Sequence, residues 1–134
     1  MFVENVFTVQ LELAYSEKPN YKLWLDSHRE EISNLKNGYV LSIIKYWVGP
    51  VIIKGFQNLA LVDVKIHANV FLPRIDAVYI GTKVKSTENF SIYKIPHSLV
   101  YIAGKHVEET LKITPKMIRY ENNQFLIVAN LCNE

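Results

Sequence analysis

The sequence predicts an α+β protein: a β-α-β-β half followed by a small β-barrel. Three observations carry this. Val62, Val64, Ile66, Ala68 and Val70 alternate with Asp63, Lys65, His67 and Asn69, the pattern of a long strand with one dry face and one wet face. Tyr21, Trp24, Leu25, His28, Ile32 and Leu35 recur at helical spacing. After Val78 the apolar runs become short and closely spaced, with turn residues between them, as in a small barrel.

The elements follow in order. Phe7, Val9, Leu11 and Leu13 alternate with Thr8, Gln10 and Glu12, which predicts the first strand. Ser16 to Asn20 is a turn cluster containing Pro19, and Asn20 suits a helix N-cap. A helix of about four turns follows, ended by Asn37-Gly38. Tyr39 to Val48 is apolar on both faces and reads as a central strand. Gly49 to Asn58 reads as a connecting loop, and the long strand spans Leu59 to Leu72, closed by Pro73 because proline cannot donate to a ladder. Strands are then expected at Val78–Val84, Phe90–Ile95, Ser98–Ala103, Leu111–Arg119 and Phe125–Leu131. The boundary between the halves falls at residues 78 and 79, and no flexible linker separates them.

Composition narrows the function classes. The chain has 134 residues, a formal charge of +2 and 49% apolar residues, ordinary values for a soluble globular protein. No apolar run approaches the ~18 residues of a membrane helix, and Met1 to Glu12 lacks a basic leader region. Cys132 is the single cysteine, so no disulfide framework exists and a reducing compartment is expected. One cysteine and four histidines supply no metal spacing, and no phosphate loop or nucleophile elbow occurs, so no metal, cofactor or catalytic residue is assigned. Asp26-Ser27-His28 is not a triad, because adjacent helical residues point in different directions. His28 reads instead as a packed or edge histidine. Glu108-Glu109 read as a solvated loop or a single helical turn.

Two sets of residues remain as candidates. Val51, Ile52, Ile53 and Phe56 are apolar in a segment expected to be exposed, which signals either a buried partner contact or packing onto the chain's own core. Lys83, Lys85, Lys94, His97, Lys116 and Arg119 are interleaved with Phe90 and Tyr93, which fits either a single-strand path of cations and stacking aromatics or a solvated barrel rim.

The order of elements resembles the large stalk subunit family of multisubunit DNA-directed RNA polymerases. The likeness covers nearly the whole chain. It is carried by Met1-Phe2 opening the first strand, Gly38-Tyr39-Val40-Leu41 opening the second, and Asp63-Val64-Lys65 with Ala68. Val70-Phe71, Pro73 and then Gly81-Thr82, eight residues after the proline, complete it. The resemblance implies a tip domain over 1–78 and a compact, reduced OB-type barrel of the S1 kind over 79–134. It implies that Gly49, Pro50, Val51, Ile52, Ile53, Lys54, Gly55, Phe56 and Asn58 contact the polymerase core near the base of the clamp. It further implies a non-catalytic role in initiation, a smaller stalk subunit as partner, and nascent RNA on Lys83, Lys85, Phe90, Tyr93, Lys94, His97 and Arg119. The compartment would be the nucleus in a eukaryote and the cytoplasm otherwise, with no membrane contact. Asp76 stands where the family has a turn glycine, and the family's Asp-Gly after the second strand is missing. The barrel's second and third strands are expected to merge over Glu88–Val100. The alternative is a free-standing OB-type module that binds single-stranded RNA; an enzyme of unknown type ranks last.

Overall fold

The computed structural model describes residues 2–14, 20–54 and 59–132. The elements run β1 (Phe2–Ala14), α1 (Tyr21–Ser27), α2 (Arg29–Ile32), β2 (Tyr39–Lys54), β3 (Leu59–Phe71), β4 (Tyr79–Ser86), β5 (Phe90–Ile95), β6 (Ser98–Ala103), β7 (Thr110–Glu121) and β8 (Gln124–Leu131). β1, β3 and β2 form an antiparallel sheet in that order, and β4-β5-β6-β8-β7 close into a barrel. The chain is mostly strand, in two sheets, with little helix. The turn expected at Ser16 to Pro19, and the candidates Gly55, Phe56 and Asn58, lie outside the described residues.

β3 is the centre of the first sheet. It pairs along its whole length with β1, from Phe2–Phe71 to Ala14–Leu59. Its expected two faces are present: Val62, Val64, Ile66, Ala68 and Val70 are buried, while Lys65 and Asn69 are exposed. Leu25 and Ile32 from the helices and Leu11 from β1 complete that core. The central place belongs to β3, not to β2. β2 is an edge strand, and Ile44, Trp47 and Val48 are exposed. Nor is Gly49 to Lys54 a loop. β2 continues through it, pairing Val51 with Val62 and Lys54 with Leu59. Gly49-Pro50 is absorbed by a register shift between Val48 and Val51, the position an edge strand tolerates for proline. A Cβ on Gly49 would come within 2.9 Å of the Asp63 carbonyl oxygen, so only glycine lets the two strands approach there.

The single helix expected over Asn20–Leu35 is two short ones. The Asn20 side chain does cap α1, accepting from the Leu23 N–H at 3.1 Å. The break comes at His28, whose ring stacks on Trp24 at 4.1 Å and whose Nδ1 meets the Trp24 carbonyl at 2.7 Å. That local bond competes with helix continuation. The helix path ends at Ile32 because Ser33 is extended, and Leu35 is exposed, not part of the apolar stripe. The Ser33 hydroxyl donates to the Arg29 carbonyl and accepts from the Val40 N–H, so it joins the helix end to β2.

The barrel is complete. The merged strand expected over Glu88–Val100 is two strands, β5 and β6, paired from Phe90–Ala103 to Ile95–Ser98. They separate at Pro96-His97, where His97 takes φ +53° and lets the chain reverse. All pairs are antiparallel except β6 with β8. Tyr93, Ile95, Val100, Ile102, Ile113, Phe125, Ile127 and Ala129 fill the interior. Asn122-Asn123 turn β7 into β8 with both residues at positive φ, the conformation a two-residue hairpin requires. Asp76, in place of the expected glycine, also sits at positive φ (72°), which aspartate tolerates.

The two sheets join through Phe71. It ends β3, facing Phe2 of β1 and Tyr39 of β2 in register, yet its ring is buried in the barrel's core beside Phe125. Around it, Tyr39 stacks on His97 at 4.0 Å and the Tyr120 hydroxyl donates to the Glu30 carbonyl.

The two faces of β3 set one expected outcome. Val64→Asp puts a charge at a fully buried site and should cost about 4 kcal/mol or more. Lys65→Asp loses only an exposed cation near Trp47 and should cost about 1 kcal/mol or less. Urea titrations of both variants check this, and equal losses would refute the face assignment.

Candidate interaction surfaces

The far end of β2 places Val51, Ile52 and Ile53 in the open. Their side chains are 52%, 57% and 53% exposed, so they do not pack onto the chain's own core. Their partners in β3 show how they are disposed. Val51 and Ile53 pair with buried Val62 and Ala60, while Ile52 pairs with Leu61 on the opposite face. Paired residues share a side of the sheet, so this short stretch is apolar on both sides. Gly49 and Pro50 are exposed beside it, and the Lys54 backbone pairs with Leu59. Three register shifts interrupt β2 before Val51, and none follows as far as Lys54. The ladder is regular in two four-residue stretches, Lys45–Val48 and the apolar end Val51–Lys54.

The opposite face of this sheet holds Trp47. Lys45 Nζ lies 5.2 Å from the ring centre and Lys65 Nζ 5.5 Å, so the indole is bracketed by two cations. Nothing in the sequence spacing flagged this cluster, because Lys65 is on β3 and meets Trp47 only through strand pairing.

The barrel residues expected on an RNA path are not one surface. Tyr93 is fully buried, and its hydroxyl donates to the Glu108 carbonyl. Burial, and after it the charges of Glu108 and Glu109, raise its pKa. It is a core residue and no stacking platform. His97 stacks on Tyr39 and so faces the other sheet. Burial, and then the Arg29 charge, lower its pKa. Phe90, Lys85, Lys94 and Arg119 are exposed, while Lys83 is half-buried with its N–H bonded to the Glu109 carbonyl. Lys116 is exposed on β7. A second aromatic on the outer side is Tyr101, on β6, half-buried with its ring 6.3 Å from exposed Phe90. Sequence could have found it only through the strand phase that buries its neighbours Val100 and Ile102.

The Asp26-Ser27-His28 side chains do not form a relay. The Ser27 hydroxyl donates to the Leu23 carbonyl, and His28 is held against Trp24. Glu108 and Glu109 lie exposed in the loop between β6 and β7. Among the described residues no three His, Cys, Asp or Glu side chains group as a metal site, and no helix is long and apolar enough to cross a membrane. No protein-family model matches the chain, and no curated protein matches it significantly.

Two outcomes are expected. Tyr93→Ala should destabilise the barrel by about 3–5 kcal/mol, as loss of a buried aromatic does, seen as a lower melting temperature before any effect on RNA. His97 should make stability fall on acidification. Its pKa is lowered in the folded chain, so above the ordinary value of 6.5 both states are neutral. Below it the unfolded chain takes the proton first, and stability falls as pH drops toward the folded value. The ring is partly exposed, so solvent screening keeps the effect small. Melting curves at about pH 7.5 and about pH 5.5 should differ less for His97→Asn, which keeps the positive φ. An unchanged difference would exclude His97.

Proposed function

We propose that this chain is a non-catalytic stalk subunit of a DNA-directed RNA polymerase, with a tip domain over 1–78 that docks on the enzyme's core and an OB-type barrel over 79–134 that projects from it. One observation carries most of the weight. A three-stranded sheet, with two short helices between its first two strands, runs through the last residue of its central strand into a closed five-stranded barrel with a single parallel pair. Five strands wound in this way fit an OB barrel, and the junction falls where the Phe71, Pro73 and Gly81 spacing resembles the stalk family.

The exposed Val51-Ile52-Ile53 supports docking through the tip. Three large apolar side chains standing in water on both faces of a strand end are costly unless a partner covers them. The rigid junction at Phe71 supports a lever-like part, because docking at one end then fixes the direction of the other. Guidance of emerging RNA has less support. With Tyr93 in the core and His97 against Tyr39, the remaining cations have only Phe90 as an exposed aromatic from the expected set. A free-standing RNA-binding barrel would need those platforms.

Purification of the tagged chain from its own cells should recover the large polymerase subunits. Replacing Val51, Ile52 and Ile53 together with serine should reduce that recovery while circular dichroism stays unchanged, since each buried anchor contributes about 1 kcal/mol or more. Polymerase recovery that does not depend on these side chains would overturn tip docking. A wild-type chain that purifies free of polymerase would overturn the assignment itself.

A further inference from the structure

We infer that the outer face of the barrel is a docking site for an amphipathic α-helix of another protein, one with a carboxylate near each end of its apolar stripe. This stands on the barrel alone and does not require a polymerase.

Strand register defines the face. Lys85 pairs with Ile92, Ile92 with Tyr101, Tyr101 with Val128, and Val128 with Met117. One step along, Lys94 pairs with Leu99, Leu99 with Leu126, and Leu126 with Arg119. Directly paired residues point to the same side of a sheet. Two adjacent rows, the first across five strands and the second across four, therefore lie on the outside of the barrel, apolar in the middle, with Lys85 and Lys94 at one end and Met117 beside Arg119 at the other. The register shift between Pro115 and Met117 makes this possible: it turns Met117 and Arg119 outward while Ile118 and Tyr120 pack toward the core. Met117 and Val128 are 56% and 45% exposed, and with Tyr101 and Leu126 they line a shallow hollow of about 160 Å³. Both described helices pack on β2 of the other sheet.

Charge decides the occupant. Neither row contains a carboxylate. Lys85 and Lys94 stand at one end and Arg119 at the other; among the described residues no carboxylate pairs with Lys94. Arg119 pairs with Glu121 but keeps further N–H donors for a second acid. A second copy of this chain is disfavoured, because laying the face on itself in either direction brings cation onto cation. RNA is disfavoured because the rows hold one aromatic, Tyr101, with Phe90 at their edge, and the rest of the surface is aliphatic, whereas bases stack on rings. An apolar helix stripe suits such a surface. The rows lie about 7 Å apart along the strands, so a helix about 10 Å wide covers both. From Lys94 to Arg119 is three strand spacings of about 4.8 Å, or about 14 Å. At about 1.5 Å per residue, the two acids of the partner are about nine or ten residues apart.

The experiment titrates the full chain with a fluorescent helical peptide bearing a leucine stripe and glutamates about nine residues apart, and with a peptide carrying lysines at those two positions. The glutamate peptide should bind at least about tenfold tighter, with the preference fading as salt rises. Met117→Glu and Val128→Asp, both outward-facing, should abolish binding with melting temperature preserved. Lys94→Glu with Arg119→Glu should reverse the preference toward the lysine peptide, a result that mere loss of fold cannot give. Equal binding of both peptides, or none, would overturn the inference. So would self-association of the chain lost on Met117→Glu, or displacement of the peptide by a single-stranded oligonucleotide.

Discussion

Phe71 belongs to two structures at once, and the arrangement of the molecule depends on it. Its backbone is the last rung of the three-stranded sheet, held between Phe2 and Tyr39. Its ring is buried in the barrel. A rotation of one sheet against the other would have to pull an aromatic side chain out of a packed interior, at a cost of several kcal/mol. Lesser contacts lie around the ring. The Tyr39–His97 stack and the Tyr120 bond to Glu30 bridge the two sheets beside Phe71. Gly38 yields to the same constraint: at φ +90° it lets the chain turn into β2 with its Cα close to the Phe71 carbonyl and Val70, where any Cβ would press at 3.0 Å.

Much of the fold was legible because its signals are local. The alternation from Val62 to Val70 has one physical meaning, a strand with a dry face, and β3 obeys it over its length. Asn20 and the paired asparagines at 122 and 123 act through their own backbone neighbourhoods, so their roles can be read without tertiary knowledge. The edge position of β2 was not legible in this way. Apolarity on both faces signals burial, but it does not distinguish burial by the chain's own strands from burial by another molecule. The helix break failed for a different reason: His28 has helical spacing, and only its contact with Trp24 diverts the chain.

The candidate surfaces divide along the same line. Val51, Ile52 and Ile53 were visible as an apolar run in an odd place, and they are exposed. Tyr93 and Tyr101 could not be told apart by type. One faces inward and the other outward because β5 and β6 each alternate, and the phase of that alternation is fixed by pairing across the barrel. His97 reads as a surface turn residue until the other sheet is brought against it. A bulge is harder still to foresee. The shift at Pro115–Met117 reverses which side chains of β7 meet water, and nothing in the local run announces it.

The parallel pairing of β6 with β8 has a consequence for how the molecule comes into being. β2 and β3 are near neighbours in the chain and can zip as a hairpin early, as can β5 with β6 and β7 with β8. A parallel partner cannot be reached through a tight turn, so β8 must arrive beside β6 only after β7 has been laid down between them in sequence. Barrel closure therefore waits for the last strand, and the cavity that receives Phe71 does not exist before then. During synthesis Phe71 has only its own sheet, with the Phe2 ring beside it, for cover until β8 has emerged from the ribosome. The joint that makes the finished molecule stiff is the last part of it to be made.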